Sequence, residues 1–210
     1  MLPGYEVGGD FFDYADDAGG VWLTLADAVG KGNEAAALAS LAVGALRSSR
    51  RSGARLEDAT RAMHEAVRSG SPGSPFITAV SAVWDTRTGR LRWITAGHPR
   101  PMVMSAEGVV TSLIDGVTRP LGVPGHGSAP AAAECVLPPG SRLVLYSDGI
   151  VEQPVGTGGE RFGTDGLLAA LHEAQALTPA GIVRRVQDAV IAISGGQLRD
   201  DATLLVVARD

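Results

Sequence analysis

The feature that most constrains the fold is the run Val21-Trp22-Leu23-Thr24-Leu25-Ala26-Asp27-Ala28-Val29-Gly30-Lys31-Gly32. It is an apolar stretch that stops on a carboxylate, passes two glycines and enters an alanine-rich segment. β-Branched and aromatic residues in such a run predict a buried strand, the glycines a tight loop and the alanines a helix. An acid at a strand end is held by a rigid element at the rim of a core, which suits it to binding something charged. Three other segments repeat the arrangement. Gly8-Gly9-Asp10-Phe11-Phe12-Asp13 sets acids beside a glycine turn, Leu143 to Gly149 ends a second buried strand on Asp148-Gly149, and Arg199-Asp200-Asp201 precedes a third strand, Ala202 to Ala208.

The 210 residues, 45% of them hydrophobic, are enough for one enzyme-sized domain over residues 1–210 with a substantial core. The net charge of −5 supplies no basic field for phosphate backbones or anionic lipid, so neither nucleic acid nor a membrane is an expected partner. The single cysteine, Cys135, excludes an internal disulfide and reads as a small buried hydrophobe in preference to a reactive thiol. No basic-then-apolar leader opens the chain, and no apolar run approaches the roughly 20 residues that span a bilayer. A cytoplasmic location is expected, for this chain alone or as a piece of something longer.

Helical periodicity follows the first loop. Asn33 is placed to cap a helix whose stripe is Ala35, Leu38, Ala42, Ala45 and Leu46, and a second helix runs from Leu56 to Arg68 with Leu56, Ala59, Met63, Ala66 and Val67 inward. Ser69 to Pro75 ends helicity. The period then changes to that of strands, at Phe76 to Trp84, Arg90 to Thr95, Met102 to Met104, Val109 to Leu113 and Ala132 to Leu137, with a glycine- and proline-rich loop from Gly122 to Pro130. The last third carries a Gly156-Thr157-Gly158-Gly159 loop and two more helices, one capped by Thr164 and one by Thr178 with Pro179 behind it. Gly195-Gly196 closes the second. Antiparallel strands with two helix pairs indicate sheets covered by helices, an α+β class.

Four aspartates at strand ends raise one another's pKa unless a cation neutralises them. A divalent metal resolves that conflict, and all-oxygen ligation favours Mg²⁺ or Mn²⁺ over Zn²⁺. Two such ions lower the pKa of a shared water and clamp a phosphoryl group for in-line attack, which is metal-assisted phosphoester hydrolysis. Asp-Gly is also common in ordinary turns, so each segment alone has a purely structural reading. Gly30-Lys31-Gly32 lacks the spaced glycine and Ser/Thr of a nucleotide-binding loop. Lys31 reads as an exposed loop residue before a phosphate ligand. His98, between glycine and proline, reads as structural before a general acid.

The ordered set GGDFFD, DAVGKGNEAA, FITAV, AGHPRP, PLGV, LYSDGIVE and RDDATLLVV resembles the PPM-type metal-dependent Ser/Thr protein phosphatases, specifically the bacterial stage II sporulation E-like branch, over about residues 5 to 208. The resemblance implies a four-layer αββα sandwich, two antiparallel β-sheets flanked by helix pairs. It implies that Asp27 bridges two Mn²⁺ or Mg²⁺ ions, that the Ala28 carbonyl binds one of them, that Asp148 and Asp200 serve the other, and that Asp10 completes the site. Asp13 and Asp201, beside these ligands, are expected to support or cap them. Hydrolysis would use the metal-bridging hydroxide on phosphoserine or phosphothreonine without a covalent phosphoenzyme. Relatives usually carry another strand before the GGD motif, where only Met1 to Val7 stand here, so one sheet edge is expected to be shortened or built differently.

The same resemblance implies a phosphorylated anti-sigma-factor antagonist as substrate and a regulatory domain in cis or trans, and it leaves room for a homodimer. The leading reading is an active phosphatase. The alternatives are a catalytically weak binding module of the same fold, working through the helices Asn33 to Arg50 and Leu56 to Arg68, and a different metal hydrolase.

Overall fold

A computed structural model describes residues 8–17, 19–70, 75–124, 130–156, 159–195 and 198–209. Met1–Val7, Ser71–Ser74, Gly125–Ala129, Thr157–Gly158 and Gly196, on which parts of the expected N-terminal edge, loops and helix stop fall, lie outside the described residues. In chain order the elements are β1 (Asp10–Asp17), β2 (Gly20–Ala28), α1 (Asn33–Arg51), α2 (Leu56–Gly70), β3 (Ile77–Asp85), β4 (Arg90–Ala96), β5 (Met102–Met104), β6 (Val110–Ser112), β7 (Val117–Thr118) and β8 (Ala133–Val136). They continue with β9 (Arg142–Tyr146), the short α3 (Asp148–Val151), β10 (Pro154–Val155), β11 (Glu160–Arg161), α4 (Gly163–Glu173), α5 (Pro179–Ser194) and β12 (Leu204–Ala208).

These fall into two compact units. The first takes in the described residues of Glu6–His98 and Ile114–Leu137, the second those of Pro99–Leu113 and Pro138–Asp210. In the first unit the sheet order is β1-β2-β3-β4-β7, with β8 also on β4. All pairs are antiparallel except β4 with β7, a parallel pair the hairpin spacing did not predict. Successive side chains alternate faces, so Trp22, Ala26 and Ala28 join the core made with Ala35, Leu38, Ala42 and Leu46 of α1 and Leu56, Ala59, Met63 and Val67 of α2. Small residues on α1 let it lie close to the sheet. Thr24 and Ser81 satisfy each other within this buried sheet, their hydroxyls 3.0 Å apart.

The second unit holds the antiparallel sheet β12-β9-β5-β6 and the small β10–β11 hairpin. Met102, Met104, Val144 and Tyr146 pack against Leu167 and Leu171 of α4 and Ile182, Val186 and Val190 of α5. Thr178 caps α5 as expected, its hydroxyl accepting the Gly181 N–H at 3.3 Å ahead of Pro179. Gly195 ends that helix in the left-handed conformation, φ 62°.

Two expected caps are corrected. Asn33 is the first residue of α1, with Gly32 at the cap and no side chain closing it, because a cap at φ 74° suits glycine alone. Thr164 lies inside α4, whose cap position is Phe162. Cys135 is half-buried on β8, opposite Leu91. No helix among the described residues is long and apolar enough to cross a membrane.

Candidate metal centre

In the first unit, β1 pairs with β2 so that Asp10 stands opposite Asp27, and Asp27 stands opposite Thr78 of β3. Alternation puts the three on the sheet face turned away from α1 and α2, since Phe11, Ala26 and Ala28 are the residues packed with those helices. Directly opposed side chains in an antiparallel pair have Cβ atoms ~5 Å apart, close enough for two carboxylates to share a ligand. Gly9 makes the arrangement possible. Its carbonyl accepts the Ala28 N–H at 3.0 Å, and a Cβ there would run into the Ala28 carbonyl oxygen and Asp27 Oδ1. Asp27 Oδ1 and the Ala28 carbonyl oxygen are thereby held against a backbone position where only glycine fits.

The second unit uses the same device. Ser147 N–H donates to the Thr203 carbonyl at 3.0 Å, and Thr203 N–H donates to Ser147 Oγ at 3.0 Å, both residues being buried. This reciprocal pair ends β9 at Tyr146, so Asp148 opens α3 instead of closing the strand as expected. The next residue, Gly149, meets the Asp201 carbonyl so closely that a Cβ would overlap it. Asp148 is thus brought beside Asp200, whose carboxylate accepts the Asp201 N–H at 3.1 Å. Asp148 and Asp200 line one cavity of about 390 Å³, together with Glu152, Glu160, Arg161 and Arg199.

The electrostatics of this pair are those of a site short of positive charge. Partial burial foremost, then the Glu152 and Asp200 carboxylates, hold the Asp148 carboxyl above its ordinary value, although the side chain still reaches solvent. A cation placed beside it would reverse the sign of that shift. Among the described residues no three Asp, Glu, His or Cys side chains form a ready-made cluster within bonding distance of one point. The candidate donors are instead carboxylate pairs and a backbone carbonyl. That set fits Mg²⁺ or Mn²⁺, which keep several waters and take one or two carboxylates, and does not fit Zn²⁺.

The neighbouring acids divide. Asp13 faces the helix side of β1, 7% exposed, and accepts from Arg47 of α1 through Nε at 3.0 Å and Nη2 at 2.6 Å. It ties strand to helix. Asp201 contributes its backbone, through the N–H on Asp200 and the carbonyl against Gly149. His98 is 6% exposed, and its Nδ1 lies 2.8 Å from the Thr78 hydroxyl, the setting of a structural histidine. Lys31 is exposed in its loop. Gln153, 3% exposed, was not singled out in the sequence. Its Oε1 accepts the Arg199 N–H at 3.4 Å and so steadies the turn that carries Asp200. Nothing local distinguishes such a glutamine, since its partner lies far along the chain.

Residues 17–210 match the model of the family Stage II sporulation protein E (SpoIIE). The chain is 24% identical over 209 residues to the phosphoserine phosphatase RsbU of Bacillus subtilis (strain 168), covering 99% of this chain and 61% of that protein. The SiaA-PP2C domain of Pseudomonas aeruginosa superposes with a TM-score of 0.83 at 26% identity, over 97% of this chain and 82% of that one. The RsbU and RsbW domains of Rv1364c from Mycobacterium tuberculosis do so with 0.82 at 28%, over 97% and 55% respectively. This chain therefore spans about three fifths of the curated relative, 61% of its length. The two sheets with their helix pairs, the strand-end aspartates and a family match from residue 17 to residue 210 agree, and the chain belongs to the Stage II sporulation protein E family of PPM-type phosphatase domains.

Proposed function

We propose that this chain is a Mn²⁺- or Mg²⁺-dependent protein serine/threonine phosphatase, with Asp10, Asp27, the Ala28 carbonyl, Asp148 and Asp200 as metal ligands. The observation that carries the reading is the pairing of strand-end acids beside glycines that admit close backbone approach, Asp10 with Asp27 and Asp148 with Asp200. Two divalent ions held by these residues would supply a water of lowered pKa and would offset charge on the phosphoryl group. The chain's own part is to hold oxygen donors on rigid elements. The β1–β2 register fixes Asp10 and Asp27, and the Ser147–Thr203 pair with Gly149 fixes Asp148 against Asp200. No side-chain nucleophile is needed, and the buried His98, bound to Thr78, fits that mechanism. Support for two ions comes from the PstP catalytic domain, which shares this fold with a TM-score of 0.68 at 19% identity and is in complex with two manganese ions.

The proposed substrate is a phosphorylated anti-sigma-factor antagonist in a partner-switching pathway. It is favoured by the kinship with RsbU and with a protein that carries RsbU and RsbW domains in one chain. A regulatory domain in cis or trans belongs to the same proposal, as does a cytoplasmic setting.

The deciding experiment is hydrolysis of an aryl phosphate and of a phosphoserine peptide with Mn²⁺, with Mg²⁺ and with chelator, alongside Asp27→Asn and Asp148→Asn. Turnover that requires metal and collapses in both variants is expected. A folded protein silent under both metals would instead favour the partner-dependent binding module.

A further inference from the structure

The carboxylate-lined cavity of the second unit is not isolated. A second cavity, of about 420 Å³, adjoins it at the C-terminal end of α5, and the two share Gln153, Pro154 and Arg199 as a common wall. A groove thus runs from Asp148 and Asp200, past Arg199, to Ala192–Gly195. Its cations are unequally engaged. Arg161 is tied to Glu152 at 3.0 Å. Arg199 is exposed, and among the described residues its guanidinium forms no ion pair, although its backbone is fixed by the buried Gln153. Gln153 is itself anchored, since its carbonyl takes the Phe162 N–H at 2.8 Å.

The guanidinium of Arg199, one residue from a candidate ligand carboxylate, lies on the wall shared by the cavity that holds Asp148 and Asp200 and the cavity beyond it. Guanidinium groups recognise carboxylate and phosphate oxygens in bidentate fashion, and the planar fork gives them direction that an ammonium lacks. We propose that Arg199 binds an anionic oxygen of the phosphoprotein substrate, and that the groove receives the segment flanking the phosphorylated residue. This rests on the phosphatase reading. The oxygen has two sources of one chemistry, the phosphoryl group or a carboxylate beside it. The length of the groove beyond Arg199 leaves room for residues on that side of the phosphoserine.

The test compares wild type, Arg199→Ala and Arg199→Lys on three substrates: a phosphoserine peptide with acidic flanking residues, the same peptide with alanine flanks, and an aryl phosphate. Binding of the two labelled peptides is measured in parallel by anisotropy in chelator, where no turnover competes. Arg199→Ala is expected to raise KM for the acid-flanked peptide about tenfold at low salt, ~1.4 kcal/mol, with a matching loss of binding in chelator. Arg199→Lys should recover part of both, and added salt should shrink the difference. A rise confined to the acid-flanked peptide assigns the contact to the flanking carboxylate, and an equal rise on the aryl phosphate assigns it to the phosphoryl group. Arg184→Ala, which removes an exposed α5 cation paired with Asp188, should match wild type throughout. KM and chelator binding of Arg199→Ala at wild-type values on every substrate would overturn the proposal. Silence of the wild type under both metals would instead defeat the phosphatase reading, and the chelator binding would still decide the role of Arg199.

Discussion

Replacing Gly9 by alanine tests how tightly the first carboxylate pair depends on backbone approach. Gly9 accepts the Ala28 N–H at 3.0 Å, and a Cβ added to it would overlap the Ala28 carbonyl oxygen and Asp27 Oδ1, 3.2 Å from the Ala28 carbonyl carbon. Unforced carbon–oxygen contacts begin at ~3.3 Å, so alanine demands a shift of about 1 Å. Neither neighbour yields cheaply. One is backbone of β2, paired on both sides by β1 and β3, and the other is a candidate metal ligand. A misplacement of ~1 Å at a reacting centre costs on the order of 10²-fold in rate, about 2.7 kcal/mol of barrier. The sheet is held by the long β1–β2 and β2–β3 pairings and by the helix-side core, so the fold should survive. Gly9→Ala is therefore expected to stay folded, to lose about 10²-fold in kcat/KM and to need more Mn²⁺ for half-maximal rate. Initial rates across a Mn²⁺ titration, with thermal melts of the same samples, read all three. A variant within about threefold of wild type, with an unchanged Mn²⁺ midpoint, would refute the claim that Gly9 sets Asp27 and the Ala28 carbonyl.

Three further outcomes are expected. Gly44 lies exposed in α1 with nothing within 4 Å of an added Cβ, so Gly44→Ala should stabilise by about 1 kcal/mol and raise Tm by a few degrees. A calorimetric melt that falls would contradict the helix assignment there. Arg47→Ala strands the Asp13 carboxylate, which is 7% exposed, and should cost about 1–3 kcal/mol in urea unfolding; a neutral result would mean that water reaches Asp13 readily. Asp148→Asn should abolish metal-dependent turnover yet stabilise the metal-free protein at neutral pH, because its ionised form is disfavoured by burial, Glu152 and Asp200. The sign follows from linkage. A carboxyl whose folded pKa lies above its unfolded one contributes stability below the unfolded pKa and loses it as pH rises through the folded value. The metal-free wild type should therefore weaken relative to Asp148→Asn as pH climbs from about 3.8 upward; parallel melting curves from acid to neutral pH would exclude this.

Much of the scaffold was legible because its periods are clean. The stripes Ala35–Leu38–Ala42–Leu46 and Leu56–Ala59–Met63–Val67 gave α1 and α2 with their buried faces, and β5 coincided with its expected range, Met102–Met104. In the sequence β1 shows only as acids beside a turn. Asp10, Asp13, Asp16 and Asp17 carry little β-propensity, and the strand exists because all of it pairs with β2, from Asp10–Asp27 to Asp17–Gly20. β7, β10 and β11, each two residues long, gave no periodic signal at all.

The candidate ligands were visible as residue types, whereas the reasons for their geometry were not. GGD and SDG look like ordinary turn tripeptides, and a turn tolerates other residues than glycine in most positions. What the fold adds is a partner distant in sequence. Gly9 is required by the Ala28 carbonyl and the Asp27 carboxylate, and Gly149 by the Asp201 carbonyl. In each unit a glycine next to an aspartate lets one strand end close on another, so the carboxylate pair is produced by a backbone contact and the repulsion between its charges is left standing. For Asp148 that repulsion adds to burial, the larger cause, and to the Glu152 carboxylate in holding the pKa above its ordinary value. A pair assembled by backbone packing against its own electrostatics is poised for a cation, which is why the two glycines bear on the chemistry as directly as the acids they adjoin.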